Sequence, residues 1–174
     1  VCGAGTGLDT LGVRHKIELV SRALKLHALS TCAGSNDPHV VLQCIGGAEV
    51  AAMVGSILKA HSKGLGVLIC GYVATAAALI AAEISPQVTE SYFLASNSAE
   101  TGHTIGVRRI HEIAASIGLP ALSPPALSMG MRLGEGTTAT LAIPLLKTAS
   151  MLLTGQFATL KEVLESTPSE TEMQ

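Results

Sequence analysis

Apolar and polar positions alternate between two periods along this chain. Ile17, Val20, Leu24 and Ala28 recur at helical spacing, which predicts an amphipathic helix over residues 11–29, capped by Asp9 or Thr10. A short helix over 38–45 follows, with Pro38 in its first turn and Gly46-Gly47 as its stop. Val50, Met53, Val54, Ile57 and Leu58 mark the next helix, 48–61, closed by Lys63 and Gly64. The run Gly66-Val-Leu-Ile-Cys-Gly71 then changes character to a short buried strand, and the Ala-rich stretch 72–84 reads as helix. A second strand is predicted at 92–95 and a helix at 102–117. Three prolines between Gly118 and Pro125 predict an irregular excursion, before a long apolar helix towards Leu153 in which Pro144 predicts a kink. Strands alternating with helices give an α/β fold around a parallel sheet. Residues 1–165 are expected to form one unit and 166–174 a polar tail.

Residues 64–82 carry no charged side chain, and roughly 20 apolar residues can cross a bilayer. The change of period at Gly71 favours a buried strand followed by a buried helix instead, so no membrane association is expected. Aromatic residues make up only 2% of the chain and Trp is absent, so the core must be built from aliphatic side chains and alanine. The formal charge of −2 argues against nucleic acid as partner, because phosphate backbones require a basic surface. Cys2, Cys32, Cys44 and Cys70 show no metal-type spacing and read as reduced thiols of a cytoplasmic protein. None of the six histidines forms a metal-type pair, and no cofactor is called for. The opening residues form no signal peptide, and the chain starts without Met in a glycine-rich loop, as a fragment would.

Chemistry concentrates in four segments. Glu135 stands between Gly134 and Gly136 at the mouth of the last helix, where desolvation by Leu133 and Leu141 would raise its pKa towards that of a general base. The plainer alternative is an acidic residue that complements the helix dipole. Gly3-Ala-Gly-Thr-Gly7 can cradle a phosphate or simply turn tightly, and Lys16 can counter that phosphate or be a solvated helix lysine. Ser98 can offer a hydroxyl to the same phosphate or cap the helix that follows.

Taken in order, these segments resemble the nicotinate-mononucleotide:5,6-dimethylbenzimidazole phosphoribosyltransferases. The resemblance is carried by GAGTG and Leu8-Asp9, by the Lys16 helix, and by DPHVVLQCIGGAEVAAMVGSIL at 37–58. GVLICGYVATAAALIAAEISPQV at 66–88, SAETGH at 98–103 and MRLGEGTTATLAIPLL at 131–146 complete it. It implies a Rossmann-like three-layer α/β/α fold, normally homodimeric, of which this chain would be the C-terminal half. It implies transfer of phosphoribose from nicotinate mononucleotide to a benzimidazole, giving α-ribazole 5′-phosphate and nicotinate. Glu135 would be the base, Leu133 and Gly134 the backbone contacts to the aromatic acceptor, and Gly5, Lys16 and Ser98 the phosphate site.

Three features depart from the family's pattern. The family's N-terminal half is missing, with much of the benzimidazole pocket, a second acidic residue and a Gly-Asn-Thr phosphate loop. Cys70 stands where Asp is usual, and the stretch from Ser98 to Glu135 is longer. Two further readings therefore accompany the transferase. One is a nucleotide-binding homologue or interaction module without catalysis; the other is a generic dinucleotide-binding domain, which the loop's glycine spacing fits poorly.

Overall fold

The computed structural model describes residues 2–5, 7–27, 37–130, 135–159 and 161–162. The expected tail, 166–174, lies outside them. Helix α1 (Thr10–Leu26) starts where Asp9 accepts the Gly12 amide at 2.7 Å. Helix α2 (Pro38–Val41) passes through a π turn (Leu42–Gly46) into α3 (Gly47–Ser62). The glycine pair is therefore a joint within a continuous helical run, not the helix stop expected from the sequence. Gly46 stays helical, and only Gly47 turns to φ 75° to redirect the chain. The run Pro38–Ser62 is long and apolar enough to cross a membrane by length and composition alone. Here Val54 and Ile57 from α3 join the core, and α3 packs on helix α4 (Gly71–Ile84), a use that the same composition serves.

Strands β1 (Val67–Ile69) and β2 (Tyr92–Leu94) lie parallel, with α4 and a 3₁₀ turn (Pro86–Ser91) as the crossover. This is a βαβ unit, in agreement with the α/β expectation. Directly after the segment expected to be irregular, residues 126–127 add a third position beside β2. Ala126 and Leu127 donate their amides to Leu94 and Ala95 at 2.9 and 3.0 Å, and Leu127 bridges Ser96 in parallel. Pro124 and Pro125 end that pairing on its N-terminal side, since proline has no amide to donate. Helix α5 (Thr101–Ser116) covers α4, and α6 (Thr137–Leu153) runs through Pro144 as a single helix.

Alanine makes the core dense. Ala77, Ala78, Ala81 and Ala82 of α4 are all fully buried, facing Ile69, Leu94 and Ile110 within one cluster. Short side chains let α4 approach its neighbours closely, which explains how a chain with almost no aromatics fills its interior. The apolar faces of α1 and α6 are different. No residue of α1 is buried, Ile17 and Val20 are exposed, and so are Leu141, Ile143, Leu145 and Leu152 on α6. Of the apolar face expected on α1, Ile17 and Val20 are exposed, Leu24 is half-buried, and Ala28 lies outside the described residues.

Tyr92 is the buried aromatic of β2, and its hydroxyl donates to the Ala78 carbonyl at 2.8 Å. Burial pushes the phenol far above its ordinary pKa. A raised folded-state pKa means this contribution to stability is full below the unfolded value, about 10, and is lost as pH climbs beyond it. Chemical denaturation from pH 8 to 11 should show stability falling above about pH 10, with a shallower fall in Tyr92→Phe. That variant should also cost about 1 kcal/mol at neutral pH for the lost hydrogen bond.

Candidate active site

The parallel strands end side by side, and a crevice beyond strand carboxyl ends is where open α/β sheets place ligands. Cys70-Gly71-Tyr72 leaves β1 there, and residues 95–100 leave β2. Gly71 has φ 82°, a conformation that favours glycine, and it swings the chain directly from strand to helix.

The glycine loop packs against this end. Ala4 accepts the amides of Gly7 and Leu8 at 3.2 and 2.9 Å, and Gly5 has φ 58°. Lys16, about two turns into α1, donates Nζ to the Gly3 carbonyl at 3.1 Å. Gly3 in turn lies against Glu100: a Cβ at Gly3 would come within 2.6 Å of Glu100 Oε2. The Glu100 amide donates to Ser98 Oγ at 3.2 Å, so Ser98 closes a local turn ahead of α5, whose N-cap is Glu100 and not the Ser98 expected as a cap. The loop, Lys16 and the Ser98 turn, expected from sequence as one phosphate site, are thus linked in one neighbourhood.

Two members of the cluster were not foreseen as functional. Tyr72 lays its ring over Gly102, where a Cβ would come within 2.5 Å of the ring and hydroxyl. Its phenol pKa is raised, mainly by burial, and further by Cys2 and the Glu100 carboxylate nearby. Glu100 stands in the notable run Ser98-Ala-Glu100, but a helix-start carboxylate gives no sign that it will face a distant loop. For Tyr72 the available signal was its place directly after the strand-end glycine.

Helix α6, which starts two residues after Glu135, is anchored at the same strand end. Thr138 is fully buried, and its Oγ1 lies 2.9 Å from Cys70 Sγ, which ties the α6 mouth to β1. Gly136 has φ 78°, and Glu135 itself has φ 41°, the one left-handed non-glycine among the described residues. The expectation of a desolvated carboxylate needs correction. Glu135 is exposed, and Leu141, expected to shield it, is itself 48% exposed. The physical reason is that much of the apolar surface of α6 faces outward, with Leu141, Ile143, Leu145 and Leu152 all exposed, so the helix does not shield the carboxylate from solvent. Leu133 and Gly134, expected to hold the acceptor base, lie outside the described residues. Among the described residues no cluster of His, Cys, Asp and Glu could hold a metal ion, and Cys2, Cys44 and Cys70 form no disulfide.

Comparison with known proteins shows the family. A family model described as phosphoribosyltransferase matches residues 1–163. The nicotinate-nucleotide–dimethylbenzimidazole phosphoribosyltransferase of Pseudomonas putida (strain W619) is 41% identical over 160 residues, 92% of this chain and 41% of its own length. The protein of the same name from Xanthomonas oryzae pv. oryzae (strain PXO99A) is 39% identical over 155 residues, 89% of this chain and 40% of its own. A crystal structure of CobT from Thermus thermophilus matches with a TM-score of 0.70 and 34% identity, covering 94% of this chain and 44% of that one. The chain therefore spans about two-fifths of the length of the curated relatives it matches. A family match over 163 of 174 residues, with the same fold, establishes that the chain belongs to the phosphoribosyltransferase family that includes the nicotinate-nucleotide–dimethylbenzimidazole enzymes.

Proposed function

We propose that this chain supplies the nucleotide cradle and proton acceptor for transfer of phosphoribose from nicotinate mononucleotide to a benzimidazole-type base. The observation that carries the reading is the meeting at one sheet end of the Gly3–Gly7 loop, Lys16, the Ser98 turn and the α6 mouth bearing Glu135. The Gly5 backbone, the Lys16 ammonium and the Ser98 hydroxyl suit a phosphate. A carboxylate repels phosphate but accepts from hydroxyls, so Glu100 suits the ribose.

The transfer breaks the bond from C1′ to the pyridinium nitrogen, whose electron pair leaves with nicotinate as a neutral ring. One benzimidazole nitrogen forms the new bond to C1′. The proton on its other nitrogen passes to Glu135, which must lie within hydrogen-bond reach of it. A pyridinium is already a good leaving group, so the step asks the protein only for position and a base. Leu133 and Gly134 would present their backbone to the acceptor, as in the family the sequence resembles.

Glu135 stands at an open end, so the acceptor becomes enclosed only when another polypeptide closes over it. The exposed apolar faces of α1 and α6 suit such a partner, either a second copy in a homodimer or a complementing N-terminal half. The test is nicotinate release from nicotinate mononucleotide and dimethylbenzimidazole, measured with the chain alone and with the N-terminal half of a bacterial relative. Release is expected in the complemented mixture; its absence at every ratio of the two chains overturns the reading.

One observation favours a second reading, nucleotide binding without transfer: the strand end offers a thiol at Cys70, held against Thr138, in place of a carboxylate. Calorimetric binding of nicotinate mononucleotide with no release under complementation would select it. Lys16→Ala should weaken nucleotide binding about 10- to 100-fold in either case, the worth of one charge-assisted hydrogen bond to phosphate. An unchanged dissociation constant would remove Lys16 from the cradle.

A further inference from the structure

Beneath the strand end lies a buried polar network that the proposed transfer does not use. His103, in the first turn of α5, is 2% exposed. Its Nδ1 is 2.8 Å from Thr75 Oγ1, and the same hydroxyl donates to the Gly71 carbonyl at 2.8 Å. A hydroxyl carries one proton, and a carbonyl can only accept it. Thr75 Oγ1 is therefore the acceptor towards the ring, and His103 Nδ1 carries the proton.

A neutral ring then keeps a lone pair on Nε2, which is buried and meets no donor among the described residues. Burial holds the imidazole pKa below its ordinary value, which agrees with the neutral form. The packing leaves Thr75 little room to move: a Cβ at Gly106 would lie 2.9 Å from its Cγ2.

The carbonyl at the end of this relay belongs to the turn that builds the site. Gly71 sits between Cys70, which contacts Thr138, and Tyr72, which lies beside Glu100. Thr138 is one turn from Glu135 at the mouth of α6. We propose that His103 is a positioning residue, fixing the Cys70–Gly71–Tyr72 turn through Thr75 and thereby the Thr138 contact that sets the α6 mouth. The link to catalysis rests on the reading of Glu135 as the proton acceptor; the link to the turn does not.

Two measurements on the whole chain test the turn directly. Imidazole ¹⁵N spectra at neutral pH should show His103 as the Nδ1–H tautomer, and an Nε2–H tautomer overturns the relay. Alkylation of Cys70 should speed up about tenfold in Thr75→Val, the worth of a lost buried hydrogen bond, while Cys44 keeps its rate and Thr75→Ser restores Cys70. Unchanged Cys70 labelling in Thr75→Val refutes the proposal, as does equal acceleration at Cys44.

A second pair of variants serves if valine is not tolerated. His103→Asn places an amide donor near the Nδ1 position and should keep labelling slow; His103→Gln places it near Nε2 and should not. Equal rates in the two refute the relay. In the complemented enzyme, Thr75→Val should lower kcat about tenfold and leave the nucleotide KM within about twofold. A raised KM with kcat retained overturns positioning of the α6 mouth. No nicotinate release even from the unmutated chain would sink the transfer reading instead, and the labelling would still decide the relay.

Discussion

Replacing Glu135 with glutamine should reduce nicotinate release by the complemented enzyme about 10²- to 10⁴-fold, the usual worth of a positioned general base. Glutamine keeps the length and planar head of glutamate but cannot take up a proton at neutral pH. Nucleotide binding should be retained, since the groups proposed to hold phosphate and ribose stand on the loop, α1 and the Ser98 turn, apart from Glu135 in sequence. The effect should therefore fall on kcat, with little change in the nucleotide KM.

The backbone offers an independent check. Glu135 occupies φ 41°, where a side chain costs about 1–2 kcal/mol and glycine costs none. Glu135→Gly should therefore fold with little loss of stability, relief of strain offsetting the roughly 1 kcal/mol of added chain entropy. It should nevertheless be as inactive as the glutamine variant. A residue there only to complement the helix dipole would lose a few tenths of a kcal/mol on replacement and leave turnover intact. Turnover by Glu135→Gln equal to the unmutated protein would retire Glu135 as the base.

Local signals in the sequence proved reliable where one residue decides the geometry. Asp9 caps α1, Gly64 ends α3 with φ 67°, and Gly71 turns β1 into α4. Each is set by a side chain or a φ angle that neighbours hardly influence. Lys16 and Ser98 were also visible as candidates, because loop glycines, a helix cation and a helix-start hydroxyl suit anions wherever they occur. What could not be read was mutual placement. The contact of Gly3 with Glu100 joins residues 97 positions apart, and the pairing of Leu127 with β2 follows a proline-rich run that resembles no strand. The surroundings of Glu135 were misjudged for a related reason. Periodicity shows that Leu141 belongs to an apolar helix, but it cannot say whether that side meets the core or the outside.

Ile110→Ala should be the most destabilising truncation in the core, at about 3–5 kcal/mol, the upper part of the range for buried isoleucine. Ile110 is fully buried on α5, in the cluster with Ala77, Ala78, Ala81 and Ala82 of α4. The cost of such a change depends on how far the neighbours relax into the space left behind. Alanine has no side-chain torsion that can move a carbon into a cavity, so a void opposite α4 stays open. Ile110→Val removes one methyl group and should cost only about 0.5–1.5 kcal/mol. Urea denaturation of the three proteins checks this: the midpoints should fall from the unmutated chain through Ile110→Val to Ile110→Ala, with the slope m unchanged, because the surface exposed on unfolding is nearly the same. A loss below about 1 kcal/mol for Ile110→Ala would mean that α4 and α5 close the gap, and the rigid alanine packing described for this core would be wrong.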